Sequence, residues 1–403
     1  MKFIGDKQER GLLYDWKKIR KAMKALGIPS IYYNPVTAPL DLCAWFVELS
    51  ERATGKTTGW LLLGMVMSWL YGTVTLYVRN VKDMIAPKHS SSLFNVIIEN
   101  HYIEKITDGM YNNVSYKAKK WYFAYIDPDT GETVRKSENY FCRMIAVDES
   151  ALLKSSLNEP YGDLILFDEF ITTRYTSQNE FVNFVDIIST AFRLRECGKI
   201  VLLANTIDKY HQYFHDLEIF ERISELQISE SCTHTTDKGT KIYIELIGSP
   251  KQYRTKKKKW VELFAGFKKP ELSAITGEAL WAVKNYQHIP DEDTFDSEEP
   301  MTTVLYNKIY LYHNNKYVRF DIVQHKELGT CVYVHWATKT YSDSLIITRN
   351  NYTDSRYIYG FPTNITVTKF LRNYYALNKI YYASNDVGSF VDGYLKLCGF
   401  TVK

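Results

Sequence analysis

The 403-residue sequence is poor in cysteine and has no closely spaced cysteine pair. Cys43, Cys142, Cys197, Cys232, Cys331 and Cys398 are scattered, with no CxxC among them. That spacing argues against a zinc site and a disulfide framework, and fits a reducing compartment. A strong excess of one charge is missing too. With 50 Lys and Arg against 46 Asp and Glu, the formal net charge is +4. The chain is not a polycation, so any nucleic-acid surface has to be local. The opening MKFIGDKQER lacks the apolar core of a secretory signal, so export is not expected. Internal repeats and long low-complexity tracts are absent, and the length has room for two or three domains, each with its own core.

Only one long apolar run is present, WLLLGMVMSWLYGTVTLYV at residues 60–78. It is apolar enough to be scored as a membrane span. Gly64, Ser68, Gly72 and the β-branched TVTLYV that follows favour a buried helix, a turn and a strand instead. Before it, residues 7–26 predict an amphipathic helix stopped by Gly27, and residues 42–49 a buried strand. Residues 100–140 are rich in Tyr and Lys around the turn signal IDPDTGET and read as an inserted, lid-like subdomain. A strand over LILFDEF (164–170), a helix over 180–196 and a strand over 200–204 complete an alternation that predicts a parallel sheet covered on both faces. The expected boundaries are an α/β domain over 1–248, a basic helical linker over 249–300 and a C-terminal domain over 301–403. In the last, strands are expected near 303–312, 316–323, 331–337, 344–348 and 379–383, with helices near 366–377 and 387–397.

The stretch ELSERATGKTTGW, residues 48–60, has the parts of a phosphate-binding loop except its first glycine, where Ser50 stands. Such a loop needs a strand leading in, free backbone N–H groups, a lysine for phosphate charge and a hydroxyl for Mg²⁺. Ser50, Glu51, Arg52, Ala53, Thr54, Gly55, Lys56, Thr57 and Thr58 are therefore the candidate ATP-binding residues. An ordinary strand-to-helix turn with an exposed lysine is the competing reading. A second element weighs against it, because LILFDEF ends an apolar strand in two acids. Asp168, with Thr57, would hold Mg²⁺, and Glu169 would orient and polarise the attacking water. KIVLLAN ends in Asn205, placed to touch the γ-phosphate or that water. The densest basic run, KQYRTKKKKW, makes Lys256, Lys257, Lys258 and Lys259 the candidate DNA contacts, a solvated linker being the alternative.

The loop SERATGKTT resembles those of phage large terminase subunits, with Arg52 three positions before Gly55. With the Asp168-Glu169 strand, the following helix bearing RLRE and the two-domain length, the chain looks most like the genome-packaging ATPases of small podophages. The resemblance implies a terminase-like, ASCE-type P-loop NTPase domain followed by a smaller ribonuclease H-like α/β domain. It also implies ATP and Mg²⁺ as cofactors and a homo-oligomeric ring, a pentamer in that family, that drives double-stranded DNA through the portal into an empty procapsid. The place of action would be the host cytoplasm, with no membrane. An arginine supplied at the transferring phosphate is expected from Arg52, Arg193 or Arg195, with Arg195 favoured as a finger reaching a neighbouring subunit. Two-metal nucleases of the second fold need an acid in the middle of the first strand, and TVLYNKIYLY has none. Asp321, Asp386 and Asp392 remain, so a nuclease fold without nuclease chemistry is expected. A helicase or other ring translocase, or a non-catalytic part of a capsid vertex, are the alternative functions.

Overall fold

In the computed structural model, which describes residues 14–51, 54–87, 92–151, 162–171, 179–193, 195–205, 210–248, 251–264, 286–289 and 301–400, helix α1 is Trp16–Ala25. Asp15 caps it, its carboxylate accepting from the Lys18 N–H at 3.1 Å. The apolar run divides as its turn signal indicates. Helix α2, Lys56–Tyr71, ends at left-handed Gly72, and strand β2 follows at Val74–Arg79. Most of α2 is buried, including Trp60, Leu61, Leu62, Leu63 and Met65, each such side chain contributing roughly 1.5–3 kcal/mol. At Gly64 a Cβ would lie 2.2 Å from Thr75 Oγ1, so the helix packs on β2 only without one. Among the described residues no helix is long and apolar enough to cross a membrane.

The remaining strands of the first sheet are β1 Trp45–Ser50, β3 Asn113–Lys117, β4 Lys120–Ile126, β5 Thr133–Ala146, β6 Gly162–Asp168, β7 Lys199–Asn205, β8 Ser231–Thr235 and β9 Lys241–Ile247. Their order is β3-β4-β5-β2-β6-β7-β1-β9-β8. The central run from β5 to β9 is parallel throughout. Both ends are antiparallel: β3-β4-β5 on one side and β8-β9 on the other. The sheet is thus mixed at its edges. β6 and β7 are buried almost end to end, the pattern of strands covered on both faces. Residues 100–140, read as an insertion, supply β3, β4 and part of β5 and extend the main sheet. Helix α3, Glu180–Phe192, stops four residues before the expected end because Arg193 turns out at φ +50°.

The described residues form two units. The second holds 210–215, 286–289 and 301–400, and the first holds the others. Helix α4, Lys251–Phe264, carries the basic run in the first unit. In the second unit β10 Thr302–His313, β11 Lys316–His325, β12 Gly329–Ala337, β13 Leu345–Thr348, β14 Tyr357–Tyr359 and β15 Ile380–Tyr382 form a sheet ordered β14-β13-β10-β11-β12-β15. β10, β11 and β12 are antiparallel, while β13 and β14 add parallel to β10. This is the arrangement of a ribonuclease H-like core. β14 is not among the strands expected from the sequence. Helices α5, Thr366–Ala376, and α6, Asn385–Leu397, close the unit.

Candidate active site

The carboxyl ends of three neighbouring parallel strands make the floor of the site, the usual ligand position in an open α/β sheet. Ser50 and Asn205 are cross-strand partners at the ends of β1 and β7, and Asp168 ends β6 beside them. The loop leaves β1 at Ser50 and re-enters helix at Lys56, with Gly55 at φ +82° as the cap. A side chain at Gly55 would be strained by that φ and would meet the Tyr32 ring at 3.0 Å. Ser50 fills the first-glycine position by turning its hydroxyl into the loop. Its Oγ donates to the Glu51 carbonyl at 2.6 Å, lies 2.8 Å from Thr54 Oγ1 and accepts from Lys56 Nζ at 2.8 Å.

Lys56 also donates to Asn205 Oδ1 at 3.1 Å and is 7% exposed. Burial lowers its pKa, and Asp168, Glu48 and Glu169 oppose that shift. Thr57 Oγ1 lies 3.1 and 3.2 Å from the two oxygens of Asp168, although the residues are 111 apart in sequence. Thr54, Gly55, Thr58, Glu169 and Ala204 join these residues around a cavity of about 370 Å³. Glu51 is half-buried beside the loop. Arg52 and Ala53 lie outside the described residues.

The loop is braced from below. Tyr33 donates its backbone N–H to the Thr54 carbonyl at 2.9 Å, and its hydroxyl lies 2.6 Å from Glu48 Oε1 and 2.9 Å from Glu245 Oε2. Glu48 also accepts from Trp60 Nε1 at 2.7 Å. Burial pushes the Glu48 carboxyl up to about 8, against the hydrogen bonds from Tyr33 and Trp60 and with the repulsion of Glu245.

Two residues that the sequence reading passed over complete the acid pair. Tyr77 donates to Asp168 Oδ2 at 2.7 Å. Arg79 pairs through Nη2 with Glu169 Oε2, and its Nη1 stands 3.7 Å from Asp168 Oδ2. Both lie on β2, the neighbour of β6, and the signal was an arginine ending an otherwise apolar strand. Glu169 itself sits at φ +53°, a conformation rare outside glycine that turns its side chain off the strand.

The arginines require a correction. Arg195 is not poised for a neighbour: its Nε pairs with buried Asp163 at 3.0 Å, and its Nη2 donates to the Gly162 and Ala191 carbonyls at 2.9 Å each. It holds the start of β6. Arg195→Ala is expected to strand the Asp163 charge and destabilise the first unit by about 3–5 kcal/mol, read as a lower thermal midpoint. A midpoint unchanged within error would refute that role. Arg193 is exposed at the end of α3. Lys256–Lys259 occupy consecutive positions of α4, and the side chains of Lys256 and Lys257 lie outside the described residues.

In the second unit the three candidate acids are all engaged within the protein. Asp321, 2% exposed, pairs with Arg319 Nε at 2.7 Å and His335 Nε2 at 3.0 Å. Tyr210 donates to Asp386 at 2.8 Å, and Lys396 pairs with Asp392 at 3.0 Å. β10 carries no acid.

No family model matches the sequence, and no curated protein matches it. Among solved structures, the phi-28 gp11 DNA packaging motor aligns with 91% of this chain and 99% of its own, at TM-score 0.52 and 15% identity. The bacteriophage phi-29 viral genome packaging motor assembly contributes a chain aligned over 92% of this one and 100% of its own, at TM-score 0.54 and 16% identity. At such identities the likeness is one of fold, and the fold of this chain is that of the bacteriophage DNA-packaging motors.

Proposed function

We propose that the protein is an ATPase that moves double-stranded DNA through a portal into an empty phage capsid, working as a ring of identical subunits. The single observation that carries the ATPase reading is the convergence of Lys56, Thr57 and Asp168 at the mouth of one cavity, from two strand ends 111 residues apart. The fold of the packaging motors supplies the link to DNA.

The backbone N–H groups at the start of α2 cradle the phosphates, helped by the positive end of the helix. Lys56 balances their charge between Ser50 and Asn205. The hydroxyl of Thr57 and the carboxylate of Asp168 are hard oxygen donors side by side, a set that fits Mg²⁺. When bound, that ion would neutralise charge on the phosphate oxygens. Arg79 holds Oε2 of Glu169, leaving Oε1 to orient a water and take its proton as the water oxygen bonds to the γ-phosphorus. The bond to the bridging oxygen breaks and ADP leaves. Asn205 steadies the γ-phosphate or the water.

The test is ATP hydrolysis by the full chain alone, with duplex DNA, with single strands and with empty capsids. Duplex and capsids together are expected to stimulate it, and Lys56→Ala to abolish it. Stimulation by single strands alone would replace this reading with a helicase, and no hydrolysis under any condition would leave a structural vertex protein.

The second unit is proposed to be nuclease-inactive, because the first strand of its sheet has no acid to share a metal ion and its buried Asp321 is already paired with Arg319 and His335. The full chain in Mn²⁺ is expected to leave linear and supercoiled DNA intact. Cutting that disappears in Asp321→Ala would overturn this.

A further inference from the structure

The antiparallel edge of the first sheet carries a basic, aromatic face that the ATP site does not use. In the β3-β4-β5 register, Lys117 stands opposite Lys120, and Lys120 opposite Arg143. One step along, Tyr122 stands opposite Tyr140, and beyond them Ala124 opposite Lys136. Residues directly opposite share a face of the sheet. Trp121 and Phe123, which alternate with these, are buried on the other face in the core. Lys117, Lys120 and Arg143 make the first row and Tyr122 and Tyr140 the second. Exposed Lys136 lies beyond them opposite buried Ala124, and the one carboxylate on this stretch of β5, exposed Glu138, falls between Tyr140 and Lys136 where the register shifts.

Three features separate this face from an ordinary solvated one. Like charges directly opposite are destabilising, yet Lys117 and Lys120 face each other across a two-residue turn. The turn residues Ala118 and Lys119 both take positive φ, 51° and 61°, in a position where Asn-Gly is the unstrained choice. The fold tolerates both the strain and the repulsion at this corner. The third feature is the tyrosine pair. The Lys120 ammonium sits 4.1 Å from the centre of the Tyr140 ring, and that of Lys136 sits 4.3 Å from the centre of Tyr122. Each ring aligns a lysine that would otherwise sample many rotamers. The same stacking covers the ring faces that a base would need. Lys119, by contrast, is paired with Glu149 at 2.8 Å and takes no part.

We propose that this face grips the phosphate backbone of double-stranded DNA, with Lys117, Lys120 and Lys136 as the contacts and Tyr122 and Tyr140 as the residues that position them. Fixed cations with no bases to stack on read charge and not sequence, the requirement for holding any DNA. The proposal rests on duplex DNA being the polymer moved, and it adds a site distinct from the ATP cavity.

The experiment is equilibrium binding of a random-sequence 30-base-pair duplex to the full chain without nucleotide, at salt from 50 to 200 mM. Replacing Lys117, Lys120 and Lys136 together by glutamine should weaken binding and flatten the plot of log affinity against log salt by about 2.7, at roughly 0.9 per phosphate contact. Lys136→Gln alone should flatten it by about 0.9, and Tyr140→Leu should weaken binding with every lysine present. Hydrolysis without DNA should be unchanged in all three variants, which reports an intact fold. If the triple variant folds, hydrolyses ATP and binds duplex with the wild-type slope, the proposal is wrong and the lysines only blunt the sheet edge. Should it lose hydrolysis, a wild-type slope in Lys136→Gln sinks the proposal equally. Wild-type protein that binds DNA through this face but never hydrolyses ATP would instead remove the motor reading and leave this one standing.

Discussion

Glu169→Gln is expected to lower ATP turnover by about 10² to 10⁴-fold, the usual contribution of a positioned general base, while the protein still holds ATP. Glutamine keeps the size of the side chain and its reach toward Arg79, but it cannot accept a proton from water. Everything proposed to meet the phosphates is left in place: Gly55 at the head of α2, Lys56 on Ser50 and Asn205, and Thr57 on Asp168. Single-turnover hydrolysis and nucleotide binding should therefore separate in this variant. In Lys56→Ala they should fall together, because the lysine charge serves both the bound nucleotide and the transition state. Wild-type turnover in Glu169→Gln would strip the residue of its proposed role and move attention to Asp168.

The larger effect is expected at Arg193. Phosphoryl transfer builds charge that a second cation stabilises, and an arginine lent by a neighbouring subunit contributes roughly 10³ to 10⁵ in rate. With Arg195 committed to Asp163, Arg193 is the arginine of RLRE left exposed, on a residue that ends its helix at φ +50°. Arg193→Ala should fold normally and be nearly inactive. Mixed with Glu169→Gln, which is inactive for a different reason, it should regain part of the activity. At some interfaces an intact Glu169 would then face an intact Arg193. Full activity of Arg193→Ala by itself would eliminate the residue. Two inactive variants that never rescue each other would show that it acts within its own subunit.

Much of the site was legible in the sequence because its parts are local. A strand, a loop with Gly-Lys-Thr and a long apolar helix lie in one stretch of about thirty residues, and an apolar strand ending in Asp-Glu is almost as plain. Even the missing first glycine posed no obstacle to the loop. The Ser50 hydroxyl takes up space that the glycine would leave open and spends its hydrogen bonds on Lys56 and Thr54. The partners of those residues were not legible. Tyr77 and Arg79 are ordinary strand residues until β2 is placed beside β6, which puts them 91 and 89 residues from Asp168 in sequence but within reach of its carboxylate in space.

The arginines and the basic residues show the same division more sharply. Along the chain, Arg193 and Arg195 are equivalent cations near a helix end, and Lys256–Lys259 are the obvious basic run. Sequence determined the existence of a parallel-sheet domain with a Gly-Lys-Thr loop between strand and helix and an acid pair ending another strand, because the periodicity and turn chemistry that specify them are carried by neighbouring residues. Tertiary structure decided which charges are free to act, because charge is spent on whatever partner the fold brings near. It buried Asp163 against Arg195, and it brought Lys117, Lys120 and Lys136 from three strands onto one edge of a sheet.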